Sequence, residues 1–303
     1  MKPSILVIGS SNTDMVIKAP RLPAPGETIL GGTFLMNPGG KGANQAVAAS
    51  RLGGAVTFIC KTGNDIFGRQ SVELFKQEGI DTSFIFTDPQ QPSGIALIAV
   101  DDNAENCIVV ASGANACLTA QDIMLATDCM EKAAIILMQL EIPVETVAHV
   151  ATVAAALHIK VILNPAPVCA LNDELLKLVS IITPNETEAS MLTGIKVTDE
   201  ATAAQAAKYL HAKGIATVII TLGSKGALVL HEGVCTVVHA PVVQAIDTTA
   251  AGDVFNGALA VALSENITMV PAVEFACKAA ALSVTRMGAQ ASAPYKHELN
   301  FQV

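Results

Sequence analysis

The sequence predicts an α/β chain in three layers, a mainly parallel central sheet with helices on both faces, and a second, small β-sheet standing off this core. Short apolar runs alternate with stretches whose apolar residues recur at helical spacing, the rhythm of strand and helix in turn. The runs are apolar throughout, as strands covered on both faces are. Each ends in polar residues, and the carboxyl ends of parallel strands form the rim where α/β sheets place ligands. At 303 residues the chain exceeds a typical domain, but α/β folds of about 200–250 residues close around one core. One domain over residues 1–303 is expected, with the small sheet inserted at about 14–36 and 93–110.

Taken in order, Ile5–Ile8 is the first strand, and Ser10 to Asp14 form its polar end. Roughly Asp14–Phe34 alternates with period two, as do Ser93–Val100 and Cys107–Val110 on either side of an Asp101-Asp102-Asn103 turn. These segments make the small sheet, and the turn aspartates are hairpin chemistry. Ala134–Met138 is a buried strand ending at Gln139 to Glu141, followed by a helix over Pro143–Leu157. Val161–Leu163 ends at Asn164, and Ile181–Ile182 leads to Asn185 to Glu188. A helix over Ala201–Lys213 precedes the strand Val218–Thr221, which opens onto Gly223 to Lys225. Val242–Ile246 reads as a further short strand, and from Gly252 the positions Val254, Phe255, Ala258, Leu259 and Val261 have helical spacing.

Composition excludes several function classes. A net charge of −9, 4% aromatics and no Trp leave neither a basic face nor a stacking platform for nucleic acid. Residues 133–163, the most apolar region, are interrupted by Gln139, Glu141, Glu145, His149, His158 and Lys160, too often for a membrane span. Lys2 is followed by a short strand and then Asn12 and Asp14, not by the apolar core of a signal peptide, so the cytosol is the expected address. The 7 cysteines contain no C-x-x-C pair and read as reduced small hydrophobes; the 6 histidines form no zinc-binding pair.

Two glycine-rich turns carry the chemistry. Asp247-Thr-Thr-Ala-Ala-Gly-Asp253 runs into an apolar helix, so Asp253 sits in a first turn whose free N–H groups and dipole attract an anion. A carboxylate there serves either as a base beside that anion or simply as a cap of the helix. Asn37-Pro-Gly-Gly-Lys-Gly-Ala-Asn44 is not a P-loop, because Lys41 is followed by Gly42 instead of Ser or Thr and the first P-loop glycine is missing. No G-x-G-x-x-G fingerprint occurs either. Gly39 and Gly40 allow close backbone approach to a small polar ligand, with Lys41 and Asn44 as donors beside it.

These turns occur in order with Gly9-Ser-Ser-Asn12-Thr-Asp14, Pro25-Gly-Glu-Thr28, Met138-Gln-Leu-Glu141, Asn164-Pro-Ala-Pro167, Thr183-Pro-Asn185-Glu-Thr-Glu188 and Thr221-Leu-Gly-Ser224. In this the chain resembles the phosphofructokinase-B-type carbohydrate kinase family from Ile5 to Ala293. The resemblance implies a Rossmann-like core with a β-sheet lid over the sugar, lids of two subunits packing into a homodimer, and ATP-dependent phosphorylation of D-ribose at O5. It implies Asp253 as general base, with the N–H groups of Ala250, Ala251 and Gly252 as anion hole. Sugar contacts are implied at Asn12, Thr13, Asp14, Gly40, Lys41, Gly42, Ala43, Asn44 and Glu141 besides Asp253. Nucleotide contacts are implied at Asn185, Thr221, Leu222, Gly223, Ser224, Lys225, Gly226 and Cys277, together with Gly252 and Asp253.

Mg²⁺ is implied near Glu188 through water, and K⁺ at Asp247, Thr249, Ser283, Arg286, Gly288 and Ser292. Two departures stand out. Family members that act on ribose tend to carry His or Asn where this chain has Cys277 near the adenine. Ala250 replaces a glycine common in the wider family and serves as well only if the backbone there does not need a positive φ. Kinases of 2-deoxyribose, another sugar or a nucleoside are the neighbouring readings. A catalytically silent sugar or nucleotide sensor is the reading of a different class, which predicts binding without turnover.

Overall fold

The computed structural model describes residues 3–103 and 105–300. In chain order the strands are β1 Ser4–Ile8, β2 Asn12–Lys18, β3 Thr33–Gly39, β4 Ala55–Gly63, β5 Ile85–Asp88, β6 Gly94–Val100, β7 Asn106–Ala111, β8 Ala133–Met138, β9 Lys160–Leu163, β10 Ile181–Ile182, β11 Thr217–Thr221, β12 Ala227–His231 and β13 Val234–Val238. The α-helices are α1 Lys41–Arg51, α2 Ile66–Gln77, α3 Ala120–Met124, α4 Thr127–Met130, α5 Val144–Ala156, α6 Asp173–Leu178, α7 Glu186–Thr193, α8 Glu200–Ala212, α9 Ala251–Ser264 and α10 Met269–Ser283.

The 9-stranded main sheet has the order β13-β12-β11-β10-β9-β8-β1-β4-β5. All pairs from β5 to β11 are parallel; β11, β12 and β13 finish it as an antiparallel edge. Its strands are buried on both faces because successive side chains serve opposite layers. Ile5 and Val7 pack with α1, α9 and α10, and Leu6 and Ile8 with α5 and α8. The three-layer expectation is met, and Pro143–Leu157 and Ala201–Lys213 match α5 and α8 to within a residue at each end.

One expectation fails. Val242–Ile246 is not a strand: it is irregular, and Val242 and Ile246 are largely exposed. Among the described residues no strand pairs with it; its backbone is instead tied to the end of α10, where the Val284 carbonyl accepts the N–H groups of Ile246 and Asp247. Its apolar residues line a cleft, which gives a strand-like pattern without strand pairing.

The small 4-stranded sheet has the order β3-β2-β6-β7, with β2 and β6 parallel and the outer pairs antiparallel. The period-two reading found β2, β6 and β7, but β3 runs on to Gly39, past the expected end near residue 36, and residues 19–32 between β2 and β3 are mostly irregular. Registry puts Ile17 opposite Phe34, Met15 opposite Met36 and Leu97, and Leu97 opposite Val109, so these side chains share one face. Phe34, Leu97 and Val109 are 59%, 55% and 63% exposed there. No helix among the described residues is long and apolar enough to cross a membrane.

Candidate active site

The carboxyl ends of β1, β8, β9, β10 and β11 open onto one rim, and the starts of α1 and α9 meet beside it. These two helices pack closely because their contact residues are small. A Cβ on Gly257 would stand 2.8 Å from the Gln45 carbonyl oxygen and 2.9 Å from the Ala48 Cβ, so only glycine lets the axes approach this far. That approach brings Asn44 and Gln45 of α1 against Asp253 of α9.

Asp253 lies in the first turn of α9 and is 7% exposed. Asn44 Nδ2 donates to its Oδ2 at 2.9 Å and Gln45 Nε2 to its Oδ1 at 3.0 Å. Burial raises its pKa above the usual carboxylate value, while the Lys41 charge and the two amide donors act in the opposite direction. The helix starts without a side-chain cap, so its first-turn dipole faces the rim unopposed by a capping side chain. Ala250 takes the N-cap position with φ at 60°, the left-handed region that L residues enter at a cost. The backbone does take a positive φ here, so the condition under which alanine would serve as well as glycine is not met. The Ala251 N–H turns back to the Thr248 carbonyl at 3.2 Å.

The sugar-side residues converge from four segments. Lys41 starts α1 after Gly40, whose φ of 89° turns β3 into the helix where a Cβ would strike the Asn12 nitrogen at 2.7 Å. Glu141 caps that start: its Oε2 accepts the Lys41 N–H at 3.0 Å and the Ser10 hydroxyl at 2.5 Å. Burial pulls the Lys41 pKa down, but the surrounding carboxylates of Asp253, Glu141, Glu188 and Asp14 more than reverse this, so the ammonium is held charged. Burial, then the charges of Glu141 and Asp253, push Asp14 up to about 6. Asn12 is oriented by Asn115, whose Nδ2 donates to its Oδ1 at 2.8 Å. The Asn44 Oδ1 is buried and has no partner, an acceptor aimed at a donor the protein does not supply.

Not every expected sugar residue joins this cluster through its side chain. Thr13 alternates to the other face of β2 and lines a groove with Pro38, Ile66 and Leu74. Gly42 and Ala43 pack against the end of β1, where Ala43 is fully buried and its N–H bonds to the Ser10 carbonyl at 2.8 Å.

On the far side of Asp253 a cleft of about 660 Å³ holds Asn185, Thr221, Gly223, Ser224, Gly226, Gly252 and Cys277 together. One wall is apolar, built from Val242, Val243, Ala280 and Val284, and the Cys277 thiol is buried in it with its pKa pushed up to about 12. Leu222 points into the core and offers only backbone. Lys225 is exposed outside the cleft and acts electrostatically on Asp199 at the head of α8. Asn185 and Glu188 form a reciprocal capping box at α7, each side chain accepting the other's N–H at 2.8 Å. Burial raises the Glu188 pKa, and the Asp253 charge adds to this, despite that bond and the Lys41 charge.

Asp247 draws the expected cation segments together. Its Oδ1 accepts the Thr249 N–H at 2.9 Å and its Oδ2 the Gly288 N–H at 2.8 Å. Burial works against ionisation, but these bonds outweigh it and hold the pKa below the usual range. The Arg286 guanidinium is turned away onto Glu298 at 2.6 Å, and the Ser283 and Ser292 hydroxyls bond to carbonyls of their own turns. Asp247 is the one acidic group among the expected cation residues, and no cluster of acidic, imidazole or thiol side chains occurs among the described residues, which fits a monovalent ion better than a dedicated divalent site. Asn185 lines the cleft and Glu188 is bonded to it, a single carboxylate that fits Mg²⁺ in its usual form, with water and phosphate completing the shell.

Sequence reasoning missed Ser10, Gln45 and Asn115. Gln45 had a signal, a glutamine followed by Ala46, Val47, Ala48 and Ala49 in a helical stretch, and Ser10 lay in the quoted Gly9-Ser-Ser-Asn12-Thr-Asp14 motif without a role of its own.

Residues 2–296 match the family model described as pfkB family carbohydrate kinase. A ribokinase of Haemophilus influenzae is 48% identical over 98% of this chain and 97% of its own. A deoxyribokinase of Salmonella typhi is 37% identical over 98% and 97%. A solved structure of Arabidopsis thaliana ribokinase complexed with ribose and ATP covers all of both chains at 32% identity, with a TM-score of 0.92. With the full-length match, this level of identity and the shared architecture, the chain belongs to the pfkB family of carbohydrate kinases.

Proposed function

We propose that the chain transfers the terminal phosphoryl group of ATP to O5 of D-ribose, with Asp253 as general base. The observation that carries this is the position of Asp253: a buried carboxylate in an uncapped helix start, hydrogen-bonded to Asn44 and coupled by charge to Lys41, Asp14 and Glu141, next to the Ala251 and Gly252 wall of a nucleotide-sized cleft. The relatives named above support ribose as acceptor and ATP as donor.

Asp253 takes the proton from the sugar hydroxyl as phosphorus–oxygen bonding develops, and the first-turn N–H groups of α9 meet charge on the moving phosphoryl. Lys41, among the carboxylates of Asp253, Glu141, Glu188 and Asp14, offsets their charge while the sugar is bound. Bound Mg²⁺ supplies charge neutralisation at the phosphates, and Glu188 with Asn185 would hold it through water. A monovalent ion, K⁺ in the cytosol, would sit at Asp247 and order the turn leading to the anion hole. The apolar face of the small sheet suits a second copy of the chain, giving a homodimer whose lids cover the sugar and exclude water.

The test is ADP release with Mg·ATP and K⁺ on D-ribose, 2-deoxyribose, fructose and adenosine, with Asp253→Asn as control. Preference for ribose and loss of turnover in the variant are expected. Preference for 2-deoxyribose would move the acceptor assignment towards the deoxyribokinase relative, and ribose binding without turnover would make the chain a sensor.

A further inference from the structure

Behind Asp253 lies a chain of buried amides that neither the sugar pocket nor the nucleotide cleft accounts for. Gln45 Nε2 donates to Asp253 Oδ1 at 3.0 Å and to Asn164 Oδ1 at 3.1 Å, and Gln45 Oε1 accepts from Gln139 Nε2 at 2.5 Å. Asn164 Nδ2 in turn donates to the Thr183 carbonyl at 3.3 Å. On α9, Asn256 Oδ1 accepts the Thr183 hydroxyl at 2.7 Å while its Nδ2 holds the Gly252 carbonyl at 2.8 Å. Gln45 and Gln139 are wholly buried, and Asn164 and Asn256 are nearly so.

The bonding leaves each amide one orientation. Gln45 has two acceptors before its nitrogen and a donor before its oxygen, so a flipped amide would lose all three bonds. Asn164 is fixed the same way, its nitrogen held by Thr183 and its oxygen therefore turned to Gln45. Such a network is a poor way to stabilise a core: each amide is costly to desolvate, and the Gln139 Oε1 is left without any partner. Aliphatic residues surround it on β1, β8 and β9, and the same positions could be filled by them. What the network does uniquely is fix one oxygen of Asp253 from behind while Asn44 holds the other, and pin the carbonyl of Gly252 in the same turn.

We propose that Gln45 is a positioning residue for the phosphoryl transfer, holding the Asp253 carboxylate ionised and aimed at the acceptor hydroxyl, with Gln139 and Asn164 fixing Gln45 in turn. This rests on Asp253 being the base. A base displaced by a fraction of an ångström or turned about its χ angle loses near-attack geometry, so the effect falls on turnover and not on sugar affinity.

The experiment compares Gln45→Met, which keeps the side-chain length and removes the donor, and Gln139→Met, one bond further back, with wild type and Asp253→Asn. Steady-state rates for D-ribose are followed across pH 5–9, ribose affinity is measured by equilibrium dialysis, and melting temperature monitors the fold. Expected for Gln45→Met are a fall in kcat of about 10- to 100-fold, ribose affinity within about threefold of wild type, and an acid limb of kcat moved to higher pH. The groups facing Asp253 that titrate or carry charge, Lys41, Glu141, Asp14 and Glu188, are unchanged in this variant, so the moved limb reports the lost donor. Gln139→Met gives a smaller change in the same direction, and carries the test if Gln45→Met does not fold. Unchanged kcat and an unmoved acid limb in both variants, with Asp253→Asn inactive, would overturn the positioning role. An active Asp253→Asn would instead overturn the assignment of the base.

Discussion

Ala250 shows how one residue records a compromise. Its φ of 60° is glycine territory, yet the chain places a methyl group there at the head of α9. Ala250→Gly should stabilise the protein by up to about 1 kcal/mol in urea unfolding, the strain relieved exceeding the extra freedom of the unfolded chain. Asp14 is the second case. Its folded pKa of about 6 exceeds the ordinary 3.8, so the folded state binds this proton more tightly and stability from this group falls as pH rises between those values. Asp14→Asn should therefore raise stability by roughly 1–3 kcal/mol at pH 8, a gain that fades towards pH 4, while ribose binding weakens. Denaturation midpoints at the two pH values, read beside dialysis, check both signs.

At the scale of elements, the crossing of α1 and α9 decides whether the site exists. Adding the Cβ in Gly257→Ala sets it against backbone of α1, which cannot swing aside as a side chain would. A cost of about 1–3 kcal/mol is expected, with turnover lowered further because Asn44 and Gln45 are pushed from Asp253. Melting temperature and kcat measured together separate the two effects. The elements themselves were largely legible: Ile5–Ile8, Ala134–Met138 and Val161–Leu163 are strands because doubly buried strands advertise themselves as unbroken apolar runs. Val242–Ile246 has the same signature for a different reason, an apolar cleft wall, and burial pattern alone does not tell a sheet from a pocket. The site was legible where a motif is local, as around Asp253 and Lys41. It was not where a side chain's meaning lies in a distant partner: Asn115 reads as a loop residue until Ser11 and Asn12 are placed beside it.

For the whole molecule, the apolar face of the small sheet and the main-sheet rim belong to one design if the sheet is a lid shared between copies. Val109→Asp, at a largely exposed position of that face, should shift the sedimentation of the protein towards monomer and raise KM for ribose, leaving the melting transition of the core nearly unchanged. A protein that is monomeric before the substitution would refute the homodimer.

The bond from Gln45 to Asp253 joins positions 208 residues apart, and the partners of Asp253 and the walls of the nucleotide cleft come from opposite ends of the chain. The candidate active site is thus a seam, closed only when the last third of the polypeptide docks on the first. A chain that holds most of its central sheet without this contact leaves Asp253 without its Asn44 and Gln45 donors. Asp253 and the amides that hold it are therefore juxtaposed only in a molecule whose first and last thirds are packed together.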